Sequence, residues 1–257
     1  MSRIDRRSWL KGAAAAGGGL VAAACDRLTL NPTVQQTLAR AEGLTRRTQR
    51  ALFPRMALAP EFSTEDISPD FRANGTISPQ DPAYVALREA GFSDYRLVVD
   101  GLVERPLALS LADLRALPAR SQITRHDCVE GWSSIGKWTG ARLSAVLEAA
   151  GLKEGARFIV FHCADKLEPT VDERGRYYES LDLEDAFHEQ TILAYEMNDA
   201  PLPVAHGAPV RLRVERQLGY KHAKYVMRIK AVESLTPIRG GKGGFWEDRG
   251  YEWYAGI

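Results

Sequence analysis

Cys128 is the residue whose type and setting point most directly to metal chemistry. The chain has three cysteines, Cys25, Cys128 and Cys163. Cys25 ends an N-terminal segment typical of an export signal, which leaves two in the folded body. A lone thiolate is a soft ligand, and it suits a metal that brings most of its other ligands with it. The alternative is a buried structural cysteine, which packs as a small hydrophobic side chain.

Both body cysteines lie close to a histidine, which raises the alternative of a zinc site. His126 lies two residues before Cys128, and His162 directly precedes Cys163. Structural zinc sites commonly place two ligands on one turn at the spacing C-x₂₋₄-C, and neither pair has that spacing. Two cysteines could also form a single bridge, but not a disulfide framework.

A basic, glycine-containing stretch after residue 200 could bind an anion. Arg211 and Arg213 alternate with apolar residues in the string VRLRV, and GYKHAK at 219–224 adds two lysines and a histidine. Arginine can bind two phosphate oxygens at once, lysine supplies a point charge, and glycine lets backbone N–H groups approach closely. The same alternation predicts a half-exposed strand, so a solvated strand face followed by a turn is the other interpretation.

Alternating strands and short helices must position these residues. Ser110 with Asp113 predicts a capping box at the start of a short helix. Apolar residues at helical spacing predict an amphipathic helix over 140–150 that ends at Gly151. Composition and alternation predict further helices over 33–52 and 182–188, and strands over 95–101, 157–163, 191–198, 209–215 and 225–234. Strands outnumber helices, which predicts a mixed α+β fold.

The N-terminus predicts export. Arg6 and Arg7 precede a short run of small apolar residues that ends near Ala24. A basic region before such a run describes a secretory signal, and the paired arginines resemble the twin-arginine type. The string AAAC at Cys25 also resembles a lipoprotein cleavage site, so a lipid anchor there is the alternative to a released periplasmic protein.

Length and composition fit one domain behind that signal. The chain has 257 residues and a net charge of +1, which gives no indication of nucleic-acid binding. Its hydrophobic content of 45% and charged content of 26% are ordinary for a globular protein. We predict a signal over 1–25, an N-terminal extension over 26–66 and a single catalytic domain over 67–257, with no module that would make it a dimer.

Four strings in the body resemble the sulfite-oxidase family of molybdopterin-dependent oxidoreductases. They are DCVEGWSSIGKWTG, LAYEMNDAPLPVAHGAPVRLRV, GYKHAKYVMRIKAVES and GGFWEDRGYEWYAGI, and FRANGT at 71–76 matches an early cofactor-contact loop. The resemblance covers about 66–257 and lies nearest the branch of periplasmic protein-methionine-sulfoxide reductase catalytic subunits. It implies a sulfite-oxidase-type α+β fold around one Mo-molybdopterin.

The resemblance also implies roles for single residues. Cys128 matches the thiolate ligand of molybdenum, the dithiolene of the pterin supplies two further sulfurs, and oxo groups complete the site. Tyr177 matches a tyrosine near the metal, with Tyr178 as the adjacent alternative. Cys163 falls where the reductase branch has a cofactor-contacting threonine, which leaves its role open. The other implied cofactor contacts are Phe71, Arg72, Asn74, Gly75, His206, Arg211, Lys221, His222, Ala223 and Lys224, with Arg211, Lys221 and Lys224 on the phosphate.

One departure from the family pattern bears on the substrate. Sulfite oxidases follow the cysteine with arginines that hold an anion, whereas Val129 and Glu130 follow it here. A negative charge disfavours an anionic substrate. We therefore expect oxygen-atom transfer from a sulfoxide or N-oxide, with a membrane haem protein or a cytochrome as electron donor. The alternatives are oxidation of sulfite or an organic sulfur compound, and a non-catalytic metal-binding lipoprotein that uses the two histidine–cysteine pairs.

Overall fold

The computed structural model describes residues 31–52, 54–170 and 172–257, so the predicted signal and Cys25 lie outside the described residues. The chain divides after Leu52 into two compact units. The first contains helix α1 (Pro32–Leu52), as its helix-forming composition predicts. None of the described helices is long and apolar enough to cross a membrane.

The second unit extends to Ile257 and begins before the predicted boundary at residue 67. Residues 57–63 pair with the body, which is why the boundary lies earlier. The amide of Phe62 donates to the carbonyl of Ile123 at 2.9 Å, and the amide of Ala59 donates to the Gln190 side chain at 2.8 Å. These contacts are between residues far apart in sequence, so composition gives no sign of them.

Two five-stranded sheets form the second unit. The strands are β1 Leu97–Gly101, β2 Leu107–Leu109, β3 Ala119–Asp127, β4 Ser133–Arg142, β5 Phe158–Lys166, β6 Arg176–Asp182, β7 Ile192–Met197, β8 Ala200–Pro201, β9 Arg211–Arg213 and β10 Val226–Val232. The first sheet has the order β2-β1-β10-β5-β6, and only its β1–β10 pair is parallel. The second sheet has the order β3-β4-β7-β8, with β9 also paired to β7.

Four short helices accompany these strands: the first precedes β1, and the other three each connect two strands. They are α2 Pro82–Glu89, α3 Leu111–Ala116, α4 Leu143–Ala150 and α5 Leu183–Ala186. The predicted capping box is present at α3, where the Ser110 side chain accepts the amide of Asp113 at 3.1 Å. Helix α4 begins later than predicted because residues 140–142 belong to β4, and Gly151 ends it with a positive φ of 69°. The predicted mixed α+β fold is confirmed.

One main hydrophobic core joins the two sheets, and it includes Leu97, Val146, Phe161 and Leu212, none of which is exposed. The prediction of a half-exposed strand at VRLRV is wrong. Arg211 and Arg213 are 2% and 0% exposed, as buried as the apolar residues between them. Alternation was therefore a misleading signal, because it treats arginine as a solvent-facing residue even where partners inside the fold hold it.

Candidate active site

Cys128 opens onto a cleft built from six separate segments of the chain. These are the 74–76 loop, the turn between β3 and β4, the end of β5 with Leu167, Tyr177 on β6, the 219–224 segment and a C-terminal stretch. The cleft is lined by Asn74, Gly75, Thr76, Cys128, Val129, Glu130, Asp165, Leu167, Tyr177, Gly219, Tyr220, His222, Lys224, Trp246 and Tyr251. Six predicted site residues thus meet there, namely Asn74, Gly75, Cys128, Tyr177, His222 and Lys224.

The β3–β4 turn fixes Cys128. Its amide donates to the carbonyl of Trp132 at 3.0 Å, and its carbonyl accepts the amide of Gly131 at 3.0 Å. Gly131 has φ +83°, which a glycine adopts without strain. Cys128 is 8% exposed, and its sulfur accepts a long hydrogen bond of 3.7 Å from the Asn74 side-chain amide.

Lys224 clamps the 74–76 loop instead of pointing a free ammonium at an anion. Its Nζ donates to the carbonyls of Asn74 at 2.7 Å, Thr76 at 2.5 Å and Ala205 at 3.1 Å. An ammonium group has three donors, so all three are used. Burial, reinforced by Arg211, lowers the pKa of Lys224 to about 7.

Arg211 and Arg213 lie on the same side of β9. Both guanidinium groups stack on the Trp138 ring, at 4.8 and 4.5 Å from its centroid. Arg213 is fully paired: its Nε and Nη2 donate to Glu215 at 2.9 and 2.5 Å, and its Nη1 donates to His126 at 3.1 Å. Arg211 donates from Nη1 to the carbonyl of His206 at 3.0 Å. Burial, together with the neighbouring Arg213, lowers the pKa of Arg211 to about 9.

Several buried nitrogens around Arg211 have no hydrogen-bond partner among the residues that the structure describes. Such atoms are rare in folded proteins because each one costs free energy unless something binds it. The Phe71 ring packs between the rings of His126, Trp138 and His206, at 5.8, 5.3 and 5.5 Å, and so holds this layer together. The unpartnered atoms are Nε of Arg211, Nε1 of Trp138, Nε2 of His126 and Nδ1 of His222.

The three histidines of this layer, His126, His206 and His222, all have a lowered pKa. Burial lowers the pKa of His126, His206 and His222, and Arg211 lowers each of them further, the pKa of His206 to about 4. Gly219 lets the 219–221 turn sit directly against His126, since a Cβ at Gly219 would lie 2.6 Å from its ring. A close-packed, cationic layer with unpartnered donors can bind an anionic group.

The side chain of Lys221 does not reach the cleft, which corrects its predicted contact with a phosphate. It is 0% exposed and donates to the carboxylates of Glu179 and Glu247, the latter at 2.7 Å. Both glutamates are also fully buried. These partners lie far from Lys221 in sequence, so the sequence offered no signal that its charge is already neutralised.

The other predicted residues lie at the rim of the cleft, in its lining or in the interior of the protein. Arg72 lies at the rim, and its guanidinium is 3.9 Å from Glu130 and 5.5 Å from the Trp132 ring. Tyr177 lines the cleft and donates to the carbonyl of Tyr220, whereas Tyr178 donates to Asp248 at 2.6 Å. Ala223 is buried, and its carbonyl accepts the amide of Leu212 at 2.7 Å.

Cys163 lies apart from Cys128, in a second cavity. That cavity also has His162 and Tyr84 in its lining. Burial raises the pKa of the Cys163 thiol well above its ordinary value, so it stays protonated and is a poor metal ligand. Among the residues that the structure describes, no three histidine, cysteine or acidic side chains are grouped as metal ligands. The zinc-type set of two histidine–cysteine pairs is therefore not assembled.

Sequence reasoning missed three cleft residues: Asp165, Trp246 and Tyr251. Asp165 is 3% exposed, its Oδ1 has no partner, and burial raises its pKa to about 6. Trp246 and Tyr251 stack on each other with ring centroids 5.3 Å apart. The aromatic string FWEDRGYEWY was the available signal for the last two, but only the fold shows where that string lies.

Comparison with known proteins gives consistent results. The model of the oxidoreductase molybdopterin-binding domain family matches residues 84–237. A protein of Azospira oryzae, provisionally named protein-methionine-sulfoxide reductase subunit YedZ1, is 34% identical over 98% of this chain and 87% of its own length. The protein-methionine-sulfoxide reductase catalytic subunit MsrP of Campylobacter jejuni is 33% identical over 53% of this chain and 48% of its own.

A solved structure resembles the chain as well. The sulfane dehydrogenase SoxCD of Paracoccus pantotrophus matches with a TM-score of 0.50 and 25% identity, over 58% of this chain and 40% of that one. The chain thus spans most of the Azospira relative but about half or less of the other two proteins.

Proposed function

The chain belongs to the oxidoreductase molybdopterin-binding domain family, and from that membership we propose that it reduces organic sulfoxides by oxygen-atom transfer. It is a molybdopterin-binding oxidoreductase of the sulfite-oxidase type, with Mo-molybdopterin as its cofactor. The sulfoxide substrate, the direction of the reaction and the ligation through Cys128 are our proposals.

The residues around the cleft fit this cofactor. A molybdopterin carries a phosphate and a pterin rich in hydrogen-bonding atoms, and the layer behind Cys128 has unpartnered nitrogens on Arg211, Trp138 and His126. Arg211 is a buried cation that donates a hydrogen bond to a neutral carbonyl, that of His206. We assign Arg211 to the phosphate, Asn74 and His222 to the cofactor-facing wall, and Lys224 to holding the loop that carries Asn74.

Cys128 is the residue that we assign as the protein ligand of molybdenum. When bound, the metal-pterin would supply the two-electron oxygen-atom exchange. The chain contributes a buried sulfur, fixed by the β3–β4 turn and facing the amide of Asn74. One protein sulfur suffices, because the dithiolene brings two more.

Reduction of a sulfoxide to a thioether and water consumes two electrons and two protons, so the site needs a proton donor. Asp165 lines the cleft, its Oδ1 has no partner, and its pKa of about 6 lets it hold a proton near neutral pH. We assign Asp165 as a proton donor to the departing oxygen.

The observation that carries the choice of substrate is the cleft wall beside Cys128. Val129 and Glu130 form it, and Glu130 is 56% exposed at the rim. Arg72 offsets the negative charge of Glu130, so the mouth is close to neutral rather than acidic. A neutral mouth does not concentrate sulfite, and the names of two relatives point to methionine sulfoxide.

A second direction of reaction is favoured by one observation, the likeness to a sulfane dehydrogenase. The same cofactor could then oxidise sulfite or an organic sulfur compound. Sulfite-dependent reduction of an artificial acceptor, faster than the sulfoxide reaction, would identify this alternative. The non-catalytic metal-binding lipoprotein has no assembled ligand set among the described residues.

The test is turnover of the molybdenum-loaded protein with reduced viologen as electron donor. We expect oxidation of the viologen on addition of N-acetylmethionine sulfoxide. Cys128→Ala should abolish it while much of the pterin stays bound, because Arg211 and the cleft wall still hold the phosphate and pterin. Cys163→Ser is the matched control and should keep most of the activity. Unchanged turnover in Cys128→Ala would refute the ligand assignment.

Location and partner complete the proposal. The paired Arg6 and Arg7 support export to the periplasm by the twin-arginine route, with anchoring through Cys25 as the alternative. Replacing both arginines with lysine should trap the protein in the cytoplasm. The donor of electrons is expected to be a membrane haem protein or a cytochrome. A cell extract from which these haem proteins have been removed should no longer support reduction of the sulfoxide.

A further inference from the structure

The C-terminal segment turns two aromatic rings toward the cleft that holds Cys128. Trp246 and Tyr251 stack with ring centroids 5.3 Å apart at an interplanar angle of 29°. Tyr220 stands edge-on to Tyr251 at 5.3 Å and also lines the cleft. Tyr251 is 41% exposed, so this wall runs from the surface inward toward the thiol.

This aromatic wall is rigidly mounted. The amide of Tyr251 donates to the carbonyl of Trp246 at 3.0 Å and closes a short turn between them. Glu247, inside that turn, is fully buried and accepts a hydrogen bond from Lys221 at 2.7 Å. The hydroxyl of Tyr220 donates to the carbonyl of Glu252 at 2.6 Å. The buried charge cluster thus fixes the position of the two rings.

We propose that the Trp246–Tyr251 wall is the binding subsite for the alkyl-sulfur part of the substrate, which makes methyl sulfoxides on small molecules or flexible polypeptides the preferred class. Aromatic faces carry negative charge density, and they attract both polarisable sulfur and the slightly positive methyl group beside a sulfoxide. The carboxylate of Glu130 and the side chain of Val129 on the same cleft offer nothing comparable. This inference rests on the proposed sulfoxide reduction.

The same subsite fits the product. Reduction breaks the sulfur–oxygen bond, takes two electrons from the donor and two protons, and releases a thioether and water. The methyl and the sulfur remain in the thioether, so it should bind the wall as well. Binding of a thioether can therefore be measured without turnover.

The experiment compares Trp246→Leu with Phe187→Leu in the molybdenum-loaded protein. Phe187 is an exposed aromatic residue beside a separate cavity, and it does not line the cleft. With reduced viologen, Trp246→Leu should raise KM for N-acetylmethionine sulfoxide about tenfold at nearly constant kcat, a change set by the loss of one sulfur–aromatic contact. Phe187→Leu should leave KM unchanged.

Calorimetric titration with N-acetylmethionine amide gives the second readout, and Trp246→Leu should weaken its binding by a similar factor. Tyr251→Leu is the second variant, because an exposed side chain can be removed with little risk to folding; its KM should rise about threefold. If Trp246→Leu loses its molybdenum, Tyr251→Leu and the titration decide.

The outcomes separate the two proposals. If the wild type reduces the sulfoxide but both cleft variants keep its KM and its affinity for the thioether, the subsite is refuted and the proposed function stands. If the wild type reduces no sulfoxide, the proposed function fails, and thioether binding that depends on Trp246 still supports the subsite.

Discussion

Lys221 and Lys224 lie in one short segment of the chain, and both are buried, but they belong to opposite kinds of environment. Lys221 is enclosed by two carboxylates, Glu179 and Glu247, in a cluster with no exposure. Lys224 faces neutral carbonyls, in a region where Arg211 and its neighbours leave buried nitrogens unpartnered. The ammonium of Lys221 thus has carboxylate partners within the described residues, although one oxygen of Glu179 and one of Glu247 stay unpartnered, whereas the ammonium of Lys224 has only carbonyl oxygens.

The same contrast separates Arg211 from Arg213 on β9. Both stack on Trp138, but Arg213 is paired with Glu215 while Arg211 has no carboxylate on its guanidinium among the described contacts. Burial alone therefore does not mark a functional residue. The stronger indication of a ligand site is a buried cation whose partner is a neutral carbonyl, as at Arg211, and not a carboxylate, as at Arg213.

The largest expected effect on stability comes from breaking the cluster of Lys221, Glu179 and Glu247. Lys221→Met leaves two carboxylates buried without their cation, which should lower the free energy of unfolding by about 3–5 kcal/mol. Urea denaturation measures it. Lys242→Met, an exposed lysine in the C-terminal segment, is the control and should change stability by less than about 0.5 kcal/mol. A Lys221→Met protein as stable as the wild type would show that the cluster is not structural.

The two arginines of β9 sharpen the comparison in protein made without cofactor. Arg213→Leu should destabilise it by about 3 kcal/mol because Glu215 loses its buried partner. Arg211→Leu should change stability by no more than about 1 kcal/mol, since it removes a buried cation that lacks a counter-charge. The pair of denaturation curves checks this. Equal losses in both variants would mean that Arg211 is as fully paired as Arg213.

His162 tests whether a polar group outside the cleft also lowers the free energy of unfolding, in this case as the pH falls. Burial lowers its pKa to about 4, helped by Arg239, Arg228 and Lys230 and opposed by Asp100. In the unfolded chain it takes up a proton below its ordinary pKa of about 6.5, while in the folded chain it stays neutral, so stability falls as pH drops.

From pH 7 to pH 5 the wild type should therefore lose about 2 kcal/mol more stability than His162→Asn. Denaturation of both proteins at the two pH values gives the difference. Parallel losses would show that His162 is as easily protonated in the fold as in the unfolded chain.

The smallest effect is expected at the second cysteine. Cys163→Ser places a hydroxyl in a buried position and should cost about 1 kcal/mol of stability without loss of molybdenum. Thermal unfolding and metal analysis of the purified variant check the two parts. Loss of metal equal to that in a Cys128 variant would mean that both sulfurs belong to one site.

Local features of this fold were predictable from sequence and long-range ones were not. The capping box at Ser110 and the glycine stop at Gly151 involve neighbouring residues, and both are present. Strands β3 and β4 were missed, because their regular pairing is visible only once they lie side by side.

The site itself was predicted in part. The resemblance placed Cys128, Asn74 and His222 on positions that the fold brings to one cleft. It could not separate Lys221 from Lys224, because the two carboxylates that neutralise Lys221 come from β6 and the C-terminal segment. Nor could it find Trp246 and Tyr251, whose position depends on how that segment returns to the cleft.

The central claim is that the incomplete region around Arg211 holds Mo-molybdopterin, and the molybdenum content of the purified protein tests it most directly. Wild type made in a host that synthesises molybdopterin should hold about one molybdenum per chain, and folded Arg211→Leu should hold at least about tenfold less after dialysis, because a charge-assisted contact is lost. A folded Arg211→Leu protein with full molybdenum, or a wild type that holds zinc or copper instead, would contradict the account.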